Sequence, residues 1–167
     1  MRFWQILMAT LLFTGAAQAA EWTSYSNARF GESIDIPPGF VNDVAKPENG
    51  DGLTFHSVDG DAELLVWGNN LVDEDFRVAT IARMQNEKDD GWIISYESGD
   101  KTSGVTWFVY SGSKADRIMY VRSIASCKDT QALHFRLEYP KAQKKNYDTV
   151  ITRMGKSLKA GSASDCP

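Results

Sequence analysis

The chain has 167 residues, 43% of them apolar and 24% charged, with a formal net charge of −4. That length suits one domain with a substantial core. The acidic balance argues against non-specific nucleic-acid binding, which needs a basic surface to displace counterions from phosphates.

Met1 and Arg2 give a positive start, residues 3–13 are mostly apolar, and Ala17-Gln18-Ala19 supplies small residues for cleavage after Ala19 or Ala20. Residues 1–20 therefore read as a secretory signal peptide, which makes the expected location periplasmic or secreted. The apolar run is shorter than the roughly 20 residues that span a bilayer, and no later stretch approaches that length. No cysteine stands directly after the cleavage point, so a lipoprotein anchor is not expected. Cleavage removes one of 18 basic residues and none of 22 acidic ones, which takes the net charge to −5. Cys127 and Cys166 both remain, and in an oxidising compartment an even pair points to one disulfide, with two free thiols as the alternative. Residues 21–160 form the expected single domain and 161–167 a polar tail.

Trp22 and Tyr25 are expected to pack the entry segment down, and 29–36 reads as a strand with Ile34 and Ile36 on one face. Pro37-Pro38-Gly39 stops it, because proline donates nothing to a ladder. A loop over 40–48 leads into 49–68, NGDGLTFHSVDGDAELLVWG, which reads as two strands joined at Asp59-Gly60 by a two-residue turn needing positive φ. Leu64 to Trp67 are apolar on both faces, as in a central, covered strand. The period then changes: Val72, Phe76, Ala79, Thr80 and Arg83, with Ile81 and Met84 beside them, predict a helix over 73–89. Asp73, Glu74 and Asp75 suit its start, Gly91 its end, and the helix is expected to serve as a crossover.

Four strands follow, over 92–97, 105–112, 117–126 and 132–139, with short polar connections that suit a meander. In the last, Leu133, Phe135, Leu137 and Tyr139 alternate with His134, Arg136 and Glu138, the pattern of a half-buried antiparallel strand. Pro140 can open a closing helix in which Tyr147, Val150, Ile151, Met154 and Leu158 make one apolar stripe. Lys141, Lys144 and Lys145 read as a solvated helix face rather than an anionic docking patch. The order predicts an α+β fold: a curved, largely antiparallel sheet of about six to seven strands with two main helices packed on it.

Few constellations carry chemistry. Asp59, Asp61 and Glu63 alternate with Asn49 and Asp51 upstream, which gives oxygens for a hard cation, but the full calcium-loop spacing is missing. Turn chemistry and a polar strand face explain the same residues. Ser111-Gly112-Ser113-Lys114 fits S-x-x-K and Lys101-Thr102-Ser103-Gly104 resembles K-T-G, yet S-D-N is absent and the first motif lies at a strand end instead of opening a helix. His56 and His134 sit on predicted strands outside any close-spaced ligand pattern, each read as a polar strand-face histidine. No glycine-rich phosphate loop occurs, and no cofactor is expected. Trp67, Trp107 and Tyr110 are candidates for an aromatic binding surface, since exposed rings favour recognition, while Trp107 and Phe108 should point to opposite faces.

W-x-x-Y-x-N-x-R-F-G-x-x-I-D-I-P from Trp22, P-E-N-G-D-G-L-T-F-x-S-x-D-G-x-A-x-L-x-V-W-G from Pro47, and R-x-x-Y-P-x-x-x-x-x-x-Y-D-x-V-I-x-R-x-x-x-S from Arg136 resemble small exported proteins of proteobacteria. These motifs are turn and core residues, so they imply kinship without chemistry. The element order also resembles the PsbP-like fold, named for an extrinsic photosystem II subunit, which implies an α/β/α sandwich. Neither resemblance brings catalytic residues. The expectation is a periplasmic, non-catalytic binding or accessory domain acting on a protein partner or small ligand in the cell envelope. The alternative is a small hydrolytic or metal-dependent enzyme that uses His56 with Asp59, Asp61 or Glu63.

Overall fold

The computed structural model describes residues 21–72, 74–100, 107–161 and 166. The expected signal segment and the Lys101 to Gly104 motif therefore lie outside the described residues, as does Asp73.

Alternation sets the centre of the main sheet. In β9 (Gln131–Pro140) the residues Leu133, Phe135, Leu137 and Tyr139 share one face, and all are buried. The strand pairs on one side with β5 (Glu63–Asn70) and on the other with β8 (Arg117–Ser126), both antiparallel. Outward from β5 come β4 (Gly52–Ser57) and the two-residue β3 (Phe40–Val41); outward from β8 come β7 (Trp107–Lys114) and β6 (Ile93–Gly99). The order is β3-β4-β5-β9-β8-β7-β6, seven strands with every neighbour antiparallel. Helix α1 (Phe76–Asp89) carries the chain from β5 to the far edge at β6, which is the expected crossover. After a 3₁₀ turn (Lys141–Gln143) entered from Pro140, α2 (Lys144–Ser157) closes the domain.

The two helices lie on opposite faces. Tyr147, Met154 and Leu158 of the α2 region join Leu64, Val66, Phe135 and Leu137 in one core, with Val150 and Ile151 packed at its margin. On the other face Phe76 and Met84 of α1 meet Trp92, Phe108, Tyr110, Met119 and Val121. A sheet wetted on neither face needs apolar residues at consecutive positions, and this explains the run of Leu64 to Trp67. The fold is the α+β sandwich the sequence predicts.

Several local readings are corrected. A second small sheet pairs β1 (Thr23–Ser26) with β2 (Ser33–Ile36), so the strand predicted from residue 29 begins four residues later. Gly31 at φ +70° turns the chain ahead of it, which an extended strand cannot accommodate. The β4–β5 connection is five residues long instead of two: Asp61 N–H donates to Asp59 Oδ1 at 3.1 Å and Ala62 N–H donates to Ser57 Oγ at 2.8 Å, and these side-chain bonds support a wider loop around Gly60 at φ +75°. Helix α1 starts at Phe76 because Asp75 caps it, accepting from Arg77 N–H at 2.7 Å and Val78 N–H at 3.4 Å. Its buried stripe is Phe76, Thr80 and Met84, while Val72 and Ile81 face solvent.

The polar face of β9 is also covered. Arg136 bridges α1 and the sheet, with Nε on Glu87 at 3.1 Å and Nη1 on Glu138 at 3.0 Å, and lies over the Trp92 ring. Glu138 also accepts from Arg117 Nε at 3.0 Å. Removing one member strands mostly buried carboxylates. Arg136→Met is expected to lower stability by about 2 kcal/mol in urea unfolding and to raise amide exchange along α1; an unchanged midpoint would mean that these charges are already solvated.

Candidate functional site

The structure places the sequence-predicted site residues in three separate surroundings. His56 on β4 lies between two carboxylates: Nδ1 is 2.6 Å from Asp43 Oδ1 and Nε2 is 3.3 Å from Glu63 Oε2. These hydrogen bonds, that to Asp43 first, favour the imidazolium and raise the histidine above its ordinary value; Asp43 is lowered in return. Because the carboxylates take opposite ring nitrogens, the three groups share no common point for a cation. Asp59 and Asp61 do not join them. Asp59 accepts from the Ser57 hydroxyl and from Asp61 N–H, and Asp61 Oδ2 accepts from Gln143 Nε2 at 3.3 Å. Among the described residues no group of three or more His, Cys, Asp or Glu is gathered to hold a metal ion.

His134 is buried, where the alternation in β9 predicts a polar strand-face position. Its Nε2 meets Asn69 Oδ1 at 2.8 Å, its Nδ1 meets the Ser123 hydroxyl at 2.7 Å, and its ring stacks on Trp67 at 4.8 Å. Asn69 Oδ1 only accepts, so Nε2 carries the proton and Nδ1 accepts from Ser123. Burial, with the nearby Arg83 charge, holds the ring neutral well below its ordinary range. A serine, a histidine base and an orienting amide are thus in line, yet Ser123 is fully enclosed. A cavity of about 170 Å³ reaches Asn69, Arg83 and His134 from the α1 side, and Ser123 is not on its wall. The chain of bonds satisfies buried polar groups beneath α1 and presents no nucleophile to solvent.

Of the three candidate aromatics, Tyr110 is a correction: it is 0% exposed, inside the α1-side core, and offers no surface. Phe108 and Tyr110 are buried because α1 covers their face, while Val109, also buried, lies on the other face opposite Arg122 in register. Trp67 is half-buried between His134 and Arg83, whose guanidinium lies 4.9 Å from its ring centre. Trp107 lies on the opposite face from Phe108, as predicted, under Arg122 at 5.4 Å.

That Arg122 belongs to a groove of about 1160 Å³ between α2 and the outer strands β6, β7 and β8. Helix α2 covers β9 and its neighbours but stops short of the sheet edge, which leaves the α2-facing side chains of three strands open. Across the floor Tyr96, Ser111 and Tyr120 stand in register, as do Ser113 and Ile118. Burial raises the Tyr120 hydroxyl, so it stays protonated and can donate. Among the described residues Arg122 Nε is buried with no hydrogen-bond partner, while the Arg122 side chain bonds the Tyr120 hydroxyl; Lys141, Lys144 and Lys156 stand along the α2 wall. Asp148 is the one carboxylate in the lining, and Lys144 pairs with it at 2.8 Å. Of the three lysines predicted to be solvated, all are exposed, and Lys141 and Lys144 but not Lys145 also line this basic groove on an acidic chain.

Sequence patterning missed Arg122, although a signal exists: Ile118, Tyr120, Arg122 and Ile124 alternate on β8, and the arginine is the lone charge in that row. The S-x-x-K residues do not form a catalytic pair, since Ser111 and Ser113 face the groove while Lys114 Nζ donates to Asp90 O at 2.6 Å.

No protein-family model matches the chain, and no curated protein matches it either. Solved structures do. Cyanobacterial PsbP (CyanoP) of Synechocystis sp. PCC 6803 aligns with a TM-score of 0.63 at 14% identity, covering 90% of this chain and 98% of its own. The chain has the PsbP-like fold. The Ran-binding protein Mog1p of Saccharomyces cerevisiae aligns over 89% of this chain and 100% of its own, with a TM-score of 0.64 at 12% identity. At such identities the PsbP-like likeness describes architecture alone.

Proposed function

We propose that this chain is an exported, non-catalytic accessory domain that engages a protein partner or small ligand of the cell envelope through the groove between α2 and β6, β7 and β8. The observation that carries this reading is the concentration of positive charge in one concavity of a net-negative chain, with the buried Arg122 Nε on its floor left without a partner among the described residues. Buried donors without acceptors are rare in folded proteins, and a site that leaves one open is suited to a ligand that accepts. Export is supported by the residue 1–20 pattern and by Cys127 and Cys166 at disulfide distance, a pairing compatible with an oxidising compartment. The likeness in fold to a Ran-binding protein supports a binding role.

A photo-crosslinking residue placed at Tyr96 tests this, with the same residue at exposed Val78 on α1 as control. Expressed in an export-competent bacterium, the Tyr96 derivative is expected to give discrete adducts that Arg122→Glu abolishes. Equal adducts at Val78, or none at Tyr96, would move the binding surface elsewhere.

A further inference from the structure

We infer that the occupant of the groove is an extended, acidic polypeptide segment that adds to the open edge of β6. The inference rests on the binding role proposed for the groove and names the class of its ligand.

Two observations meet at this place. The first is the edge itself. Strand β6 is the last in the sheet, bonded to β7 and, among the described residues, to no strand beyond. An edge strand presents a row of backbone donors and acceptors, and proteins that avoid pairing there blunt it with charges or proline. Here the edge carries Ile93, 72% exposed, and Tyr96, 54% exposed, on the groove face, with a bulge between Ile94 and Tyr96 and the exposed Glu97 on the other face, opposite Tyr110 in register. Ile93 is opposite Ser113 in register, so it shares the groove face with Tyr96. An added strand would lay alternate side chains over these two residues and into the groove.

The second is charge. Inward from Ile93 and Tyr96, past β7, the groove face turns basic, at Arg122 on β8 and at Lys141 and Lys156 on the α2 side. Among the described residues Arg122 Nε lacks a hydrogen-bond partner, and Lys156 lines the same groove. Lys141 Nζ is held on Ala115 O at 2.6 Å, at the groove end near the β7–β8 turn. Arg122, Lys141 and Lys156 face no groove carboxylate beyond Asp148, which Lys144 already holds. Carboxylates at alternate positions of an extended segment fit this row. A volume near 1160 Å³ is large for a single small ion and suits several side chains. An anionic glycan would satisfy the same cations, but it would leave the β6 backbone and the exposed Ile93 without a counterpart, which is why the polypeptide is the better fit.

The experiment selects a displayed library of random twelve-residue peptides on immobilised protein lacking residues 1–20. The expected winners carry Asp or Glu at alternate positions, and their binding falls about tenfold or more in the double variant Lys141→Glu, Lys156→Glu, two exposed positions whose change leaves the core intact. Bound peptide is expected to slow amide exchange within 93–99, a readout that a ligand held only by side chains would not move. Winners without excess acid, binding indifferent to the lysines, or unprotected β6 amides would each overturn the inference. A heparin-derived hexasaccharide serves as the second arm. If it binds in an Arg122-dependent way while the selection stays empty, the peptide class is wrong and the groove reading stands. If neither probe binds and crosslinks at Tyr96 are absent, the groove reading itself fails.

Discussion

Cys166→Ser is expected to lower the stability of the oxidised protein by about 4 kcal/mol, the chain-entropy value for closing a loop over a sequence separation of 39 residues. The pair joins the tail to the connection between β8 and β9, where Cys127, Lys128 and Asp129 all adopt positive φ, at 52°, 56° and 67°. Each non-glycine residue in that region costs on the order of 1 kcal/mol, so the turn persists only while its surroundings hold it. Thr130 helps, donating from its hydroxyl to Cys127 O at 2.7 Å, and Leu71 N–H donates to Thr130 O at 2.8 Å. Loss of the covalent tie leaves those hydrogen bonds to carry the strain alone. Guanidinium unfolding of parent and variant, each with and without reductant, measures the effect. Reductant should bring the parent to the level of Cys166→Ser and leave the variant unmoved. Two titratable thiols in the unreduced parent, or a difference below 0.5 kcal/mol, would show that the cysteines are not paired in solution.

Legibility in the sequence follows the range of the interaction. Periodicity is local, so the alternation of Leu133 to Tyr139 and the Tyr147, Met154 and Leu158 stripe are readable and hold in the structure. The run of Leu64 to Trp67 foretells a covered strand, because only burial on both faces tolerates it. Pairing across distance is not readable in this way. Nothing local announces that β3 is a strand, since Phe40 and Val41 are extended only through Ser57 and His56. Similarly, the polar alternation of His134, Arg136 and Glu138 implies a wet face, yet α1 lies over it and the charges are matched by Glu87 and Arg117. The groove shows both limits at once. Arg122 is visible as a charge in an apolar row, but its basic companions come from α2, more than a dozen residues further on, and only the packed helix brings them to one wall.

Glu32→Gln is expected to stabilise the protein by about 3 kcal/mol at pH 8 and to change little at pH 4. Glu32 is completely buried beside the β1–β2 sheet, and among the described residues neither carboxyl oxygen has a hydrogen-bond partner. Burial raises its pKa from 4.5 to about 7, because the charged form loses its water, a loss that its own backbone and the neighbouring Asn27 side chain offset only in part. The sign follows from linkage. A folded-state value above the unfolded one means that the native protein holds the proton more tightly, so the contribution of this group is fully present below pH 4.5. It is lost progressively as pH rises through about 7, and beyond that the penalty is constant. At about 1.4 kcal/mol per pKa unit, the interval between the two values gives roughly 3 kcal/mol. For a domain of this size that is roughly 6 to 12 °C in melting temperature. Glutamine matches the shape and cannot ionise, so the variant should lose the pH dependence over this window while the parent keeps it. Thermal melts of both proteins from pH 4 to pH 8 decide the matter: parallel curves would mean that Glu32 titrates as a solvated carboxylate, and a variant less stable at every pH would mean that the carboxyl proton is donated to an acceptor that glutamine cannot serve.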